Sequence, residues 1–357
     1  MGLGLGILVA FKGMGMLEPD TLISSEIFLD TDVNKLISIH DAKEATAKRA
    51  ELASFVWGPE GLPNELPAKV DKAIQDDHYT DLSNLKQIDR LTVNMEWDLS
   101  STIYHFIPAQ GNGKLLIYHG GHDGDFVVAK GLIDLFLKNG FSVMALSMPL
   151  ELPNNRPVVD LKGIGKIQLA FHEQLKFLPM KAGHPVQLFL TPVTVALNYV
   201  QPLGYDSVYM TGVSGGGWTT TIYAALDPRI TRSYPVAGTL PLHLREDRKR
   251  SNSGHRAADW GDYEQSIPEL YAVANYLDLY ILSSFGERRK QLQILNKYDP
   301  CCLAGESFRT YEGVVNERVK GLGAGGSFAV YLDEKNREHA VSGTAVAVMI
   351  DDINTGR

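Results

Sequence analysis

Ser214 lies in the run Gly212-Val213-Ser214-Gly215-Gly216-Gly217-Trp218, preceded by Ser207-Val-Tyr-Met-Thr211 and followed by Thr219-Thr-Thr-Ile-Tyr-Ala-Ala-Leu226. The flanks read as a buried strand and a helix. A serine at the tip of such a turn takes a strained backbone conformation, so the residues two before and two after it must be small. Both are glycine, Gly212 and Gly216. The hydroxyl would then stand clear of the sheet as a nucleophile, and the first amides of the helix would face the same point, where they suit a developing negative charge. With 34 glycines in 357 residues, Gly-x-Ser-x-Gly arises easily by chance, and the plainer reading is a glycine-rich turn. The strand before it and the helix after it give the motif its weight.

A serine hydroxyl is a weak nucleophile at neutral pH and needs a base, which in turn needs an acid to orient it. Of ten histidines, His339 is best placed, because it follows the last apolar strand, Phe328–Leu332, in the loop before the final helix. Catalytic groups of open parallel sheets gather at the carboxyl ends of strands. His119 and His122 also follow a strand, but they stand where an oxyanion loop belongs. His40, His78 and His255 sit in polar surroundings that suggest surface positions. For the acid, Asp299 in Asn296-Lys-Tyr-Asp299-Pro300 follows the strand Lys290–Leu295. Asp259 or Asp262 would keep the same serine, acid, histidine order, and an aspartate before proline also commonly opens a turn. Asp299 is preferred. His119-Gly120-Gly121 leaves its strand with glycines that let backbone approach a carbonyl, so the amides of Gly121 and Gly215 are expected to form the oxyanion hole.

The elements that must carry these residues form an α/β pattern. A hairpin, Gln87–Met95 and Ser101–Ile107, opens the sheet. Lys114–Tyr118, a helix over Phe126–Lys138 and the strand Gly140–Leu146 give a strand-helix-strand unit and hence a parallel sheet. Residues 147–186 break the alternation and read as an insertion over the sheet. A helix over Val186–Val200, the Ser214 elbow, a strand at Arg232–Ala237, a second excursion at 239–289 with a helix over Ile267–Leu282, and strands near 290–295 and 327–332 complete the pattern. Ahead of it, residues 1–86 form an N-terminal extension with a helix over 41–58 that stops at Gly58, leaving 87–357 as the catalytic domain.

Composition removes several function classes. The formal charge of −8 gives no footprint for nucleic acid, whose phosphates call for clustered lysine and arginine. The apolar run at Met1–Phe11 is shorter than the roughly 20 residues of a membrane helix and lacks the basic head and cleavage site of an export signal. Cys301 and Cys302 are adjacent, so a bond between them would close a small strained ring, and no disulfide framework is expected. A reducing, cytoplasmic setting is therefore permitted, with export on an incomplete signal as the alternative. Gly321-Leu-Gly-Ala-Gly-Gly326 spells a dinucleotide fingerprint in the wrong order, helix then glycines then strand, and reads as a loop. His119-x-x-His122 invites a zinc reading, but a third ligand at sensible spacing is missing, so no metal is expected.

The segments Tyr118-His-Gly-Gly-His-Asp-Gly124 and Gly212-Val-Ser-Gly-Gly216, with Asp299 and His339, resemble the α/β-hydrolase superfamily of serine hydrolases over about residues 87 to 354. Within it they are similar to carbohydrate acetyl esterases and to dienelactone-hydrolase or prolyl-oligopeptidase-like enzymes. The resemblance implies a mainly parallel eight-stranded sheet with helices on both faces, a Ser-His-Asp triad and no cofactor. Trp218, Trp260 and the 147–186 insertion read as the roof of a pocket, which favours a small or medium ester substrate over a long polymer. His122, Trp218 and Trp260 are expected to shape that pocket. The alternatives are a peptidase of the prolyl-oligopeptidase type, whose propeller has no counterpart upstream, and an inactive binding protein of the same fold.

Overall fold

The computed structural model describes residues 27–122, 124–245, 247–249, 256–258 and 262–356. The strands are β1 (Lys69–Asp71), β2 (Leu85–Asn94), β3 (Ser100–Pro108), β4 (Lys114–His119), β5 (Ser142–Leu146), β6 (Val158–Leu161), β7 (Gly165–Gln168), β8 (Ser207–Val213), β9 (Ile230–Val236), β10 (Asp247–Lys249), β11 (Arg256–Ala258), β12 (Lys290–Asn296) and β13 (Ser327–Asp333). The α-helices are α1 (Ala42–Trp57), α2 (Lys130–Lys138), α3 (Gln187–Val200), α4 (Gly215–Leu226), α5 (Pro268–Val273), α6 (Tyr276–Ser284), α7 (Glu312–Gly321) and α8 (Gly343–Thr355). Nine strands form one sheet in the order β1-β2-β3-β5-β4-β8-β9-β12-β13. The pairs from β5 through β13 are parallel, while β1, β2 and β3 pair antiparallel. The sheet therefore has one strand more than expected, the short edge strand β1.

The parallel block is continuous and apolar because both of its faces are covered. Along β4, Leu115 and Ile117 face one core while Leu116 and Tyr118 face the other. Helices α3, α4, α6 and α7 fill the first side, and α2 and α8 the second, where Leu132, Ile133, Phe136 and Leu137 of α2 are all buried. Each such side chain contributes roughly 1.5–3 kcal/mol by leaving water. The α1 helix shares the first core through Leu52, Val56 and Trp57. Arg49 ties it down by donating to the carbonyls of Ala225 and Leu282 at 2.9 and 2.7 Å, near the ends of α4 and α6. The single helix expected over 267–282 is split, since Asn275 caps the start of α6 by accepting from Leu277 N and Asp278 N. Among the described residues, no helix is long and apolar enough to cross a membrane.

Parallel pairing puts the carboxyl ends of β4, β8, β9, β12 and β13 along one rim. His119 is in register with Gly212, Val213 with Val236, and Asn296 with Asp333.

Candidate active site

Ser214 occupies the turn between β8 and α4 with φ 56° and ψ −124°, a conformation costly for any residue with a Cβ and one that persists only where its surroundings enforce it. Its N–H donates to Val236 O at 3.0 Å and its carbonyl accepts from Trp218 N at 2.9 Å. The turn can close only because Gly216 has no side chain, since a Cβ there would lie 2.0 Å from His119 O and 2.5 Å from Gly120 O. Three consecutive buried threonines in α4, Thr219, Thr220 and Thr221, donate to the carbonyls of Gly215, Gly216 and Gly217 at 3.1, 2.8 and 3.2 Å. Their hydroxyls are thereby satisfied inside the core.

Gly121 stands directly beside the serine. A Cβ on it would be 2.7 Å from Val213 O, 2.9 Å from Ser214 Cβ and 3.6 Å from Gly215 N. The backbone of the β4 loop and the start of α4 are thus brought together at Ser214, the arrangement an oxyanion requires of two amide donors. Next to it, His119 is fully enclosed, and burial pushes its imidazole down to about 4.

Asp299 and His339 meet above the ends of β12 and β13. His339 Nδ1 lies 2.9 Å from Asp299 Oδ2, and the aspartate side chain is wholly buried. Asp299 Oδ1 accepts from Cys301 N and Cys302 N at 2.8 and 3.2 Å, so both carboxylate oxygens are committed. His339 Nε2 is buried and has no hydrogen-bond partner; it is not bonded to Ser214 in this structure. A cavity of about 340 Å³ opens nearby against α2 and the start of α8, lined by Leu132, Leu135, Val213, Ala340 and Val341, with neither Ser214 nor His339 in its wall.

Asn296, the last residue of β12, was not singled out by the sequence. Its amide donates to Asp299 Oδ2 at 3.3 Å and to the carbonyls of Glu338 and Ala340 at 3.3 and 3.2 Å. It therefore holds Asp299 and both flanks of His339 at once. Its place at the end of a strand three residues before the acid was the available signal. Cys301 and Cys302, expected to stay apart, are joined by a disulfide, and their sulfurs lie within 4.8 Å of a ring nitrogen of His339.

The expected pocket residues fare differently. Trp218 is fully buried, its indole N–H donating to Tyr271 OH at 2.8 Å and its ring edge-on to Phe189. It is enclosed because α4 is covered on every side, all of Gly215–Leu226 being buried, so it does not line a pocket. Trp260 lies outside the described residues, as do Asp259 and His255. His122 is at the site: the nearest atoms to a Cβ on Gly215 would be His122 Cε1 and Met148 Cε, each at 2.7 Å. Burial alone would lower the His122 imidazole, but the carboxylates of Asp262 and Glu264 outweigh it and raise the ring to about 10. Asp262, considered as a possible triad acid, instead approaches His122 Nε2 at 3.0 Å.

No protein-family model matches the chain, and no curated protein matches it in sequence. Solved structures do. Methylesterase BT1017 aligns with a TM-score of 0.56 at 16% identity over 89% of this chain, which spans 65% of the methylesterase's own length. The fold is that of the α/β-hydrolases. A glucuronoyl esterase from Solibacter usitatus aligns at TM-score 0.55 and 11% identity, covering 88% of this chain and 94% of its own. An acetyl xylan esterase from Paenibacillus sp. R4 aligns at 0.52 and 13%, covering 91% and 99%. At these identities the likeness speaks for an α/β-hydrolase scaffold, and the chemistry has to come from the side chains.

Proposed function

We propose that the protein is a serine hydrolase of the carboxylic ester class. The carrying observation is the Asp299–His339 pair, 2.9 Å apart, on the rim that also bears Ser214 in its strained elbow with Gly121 against it. In this reading Ser214 Oγ attacks the ester carbonyl while His339 Nε2 takes its proton. The oxyanion is held by the amides of Gly121 and Gly215, each donor contributing about 3 kcal/mol to the transition state. Asp299 receives the Nδ1–H bond, fixes the tautomer and stabilises the imidazolium. The same imidazolium returns the proton to the leaving alkoxide, and water, deprotonated by His339, releases the acyl group. The Ser214–His339 hydrogen bond forms as the substrate seats, the stage at which catalytic hydrogen bonds tighten.

The substrate is an ester of small or medium size, and esters of carbohydrates are the class to try first. The solved structures of like fold carry the names methylesterase, glucuronoyl esterase and acetyl xylan esterase, which supports that order of trial. The peptidase reading has no such support. The test is hydrolysis of p-nitrophenyl acetate, acetylated xylan and methyl esters of uronic acids, together with labelling by a fluorophosphonate probe. The expected result is turnover and labelling in the wild type and neither in Ser214→Ala. Undiminished turnover by Ser214→Ala would overturn the reading.

A further inference from the structure

His122, His172 and Glu264 come from three segments of the chain that share no sequence neighbourhood: the loop after β4, the 3-10 turn His172–Phe177 inside the 147–186 insertion, and the turn Tyr263–Ser266 inside the second excursion. Their ligand atoms converge. His122 Nε2 lies 3.1 Å from His172 Nδ1 and 3.4 Å from Glu264 Oε1, and His172 Nδ1 lies 3.3 Å from Glu264 Oε2. Asp262 Oδ2 is 3.0 Å from His122 Nε2. In a tetrahedral site with bonds of about 2.0–2.1 Å, neighbouring ligand atoms stand about 3.3 Å apart, and the measured separations cluster around that edge.

Two further observations point the same way. Glu264 is wholly buried, and among the described residues the groups that face its carboxylate oxygens are His122 and His172, at 3.4 and 3.3 Å, without well-formed hydrogen-bond geometry. A carboxylate enclosed in this manner needs positive charge to face it, which a protonated His122 supplies in the empty site and a bound cation, displacing that proton, would supply in its place. His172 Nε2 sits 2.7 Å from the carbonyl oxygen of Pro149, an acceptor only, so Nε2 carries the proton and Nδ1 presents its lone pair toward His122 and Glu264. A ring whose outer nitrogen donates to a carbonyl while the inner one points into a cluster of ligands is the usual support for a metal-bound histidine.

We infer that His122, His172 and Glu264 bind a divalent cation of the zinc type, with Asp262 or water in the fourth position. Two imidazoles and one or two carboxylates form a borderline donor set that suits zinc better than the all-oxygen sets of calcium or magnesium. The cation works as a clamp, outside the hydrolytic steps. It ties both excursions to the loop that carries Gly121, and the His122 ring it would hold rests against Gly215. Occupancy therefore fixes the backbone from which the oxyanion donors project. His119 is not part of the converging group. The third ligand that His119-x-x-His122 lacks is supplied by residues about 50 and 140 positions downstream of His122.

The test uses the full-length chain without an affinity tag, stripped with chelator and titrated with Zn(II) and with Co(II). One equivalent of tight binding is expected, with the visible d–d bands of four-coordinate cobalt and a higher melting temperature in the loaded form. In Glu264→Gln, which keeps the side-chain shape, and in His172→Gln, affinity falls ~100-fold or more. Absence of stoichiometric binding by the stripped wild type, or cobalt spectra and affinities unchanged in both variants, would overturn the proposal. Metal stoichiometry and spectra are read without ester turnover, so this result stands apart from the fate of the hydrolase reading.

Discussion

His339 presents Nδ1 to Asp299 at 2.9 Å and keeps Nε2 buried without a partner. One nitrogen is committed and the other is left with a lone pair, which is the tautomer a general base must hold. Asp299→Asn removes the acceptor charge and can place a donor opposite Nδ1, reversing that tautomer. The expected loss in kcat is roughly 10³–10⁴-fold, measured on a short aryl ester with circular dichroism unchanged. A loss below tenfold would mean that another carboxylate orients the base.

Asn296 positions rather than reacts, since its amide bonds to Asp299 and to the carbonyls on both sides of His339. Asn296→Ala should lower kcat by up to ~100-fold through misplacement of the base, with KM nearly unchanged. A rise in KM at constant kcat would instead assign Asn296 to substrate binding.

Gly121 has no room for a side chain, and the atoms in the way at 2.7 and 2.9 Å are backbone oxygen and the serine's own Cβ, which cannot swing aside. Gly121→Ala should push the loop off Ser214 and cost kcat about 10²–10³-fold, the loss typical of one oxyanion donor. Full turnover in this variant, with the fold intact, would exclude the Gly121 amide as a donor.

Trp218→Phe tests a correction. The indole is fully buried and bonded to Tyr271, so the change should cost about 1–2 kcal/mol of stability for the lost hydrogen bond and leave substrate preference alone. A shifted specificity across an ester panel, without a change in melting temperature, would return Trp218 to the pocket.

Burial pushes His105 and His119 each down to about 4. Both are neutral in the folded chain, whereas the unfolded chain takes up their protons near the ordinary value of about 6.5. Their stabilisation is complete above that value and is lost as pH falls from about 6.5 to 4, at about 1.4 kcal/mol per pH unit for each group. Urea unfolding at several pH values should show this slope, and His105→Gln should make it shallower by about one proton. An unchanged slope would show that His105 keeps an ordinary proton affinity in the fold.

The repeating strand-helix pattern and the elbow were legible in the sequence because each is local. A continuous apolar run, two glycines around a serine and a helix after it all lie within about twenty residues. Strand β1 is three residues long and was hidden, since so short a segment shows no periodicity and forms only because β2 offers an edge. Trp218 was misjudged because α4 is buried along its whole length, which nearness to Ser214 in sequence does not reveal. Asn296 and the His122–His172–Glu264 cluster required the third dimension. Apart from Asp299, three residues after Asn296, their partners lie about 40 to 140 residues away, and nothing local distinguishes a histidine that meets a buried glutamate from one that faces water.

Among the described residues, β13 is one of the two edge strands of the sheet and pairs with β12 alone, yet the loop that leaves it carries His339. His339 thus hangs on a border of the sheet that α7 braces, with Asn316 and Glu312 accepting from Phe328 N and Val330 N. A chain in which that border came away would lose His339 from the rim, and fall silent, even with Ser214 still in its elbow. Ester cleavage would then serve as a built-in gauge of whether the final strand is docked.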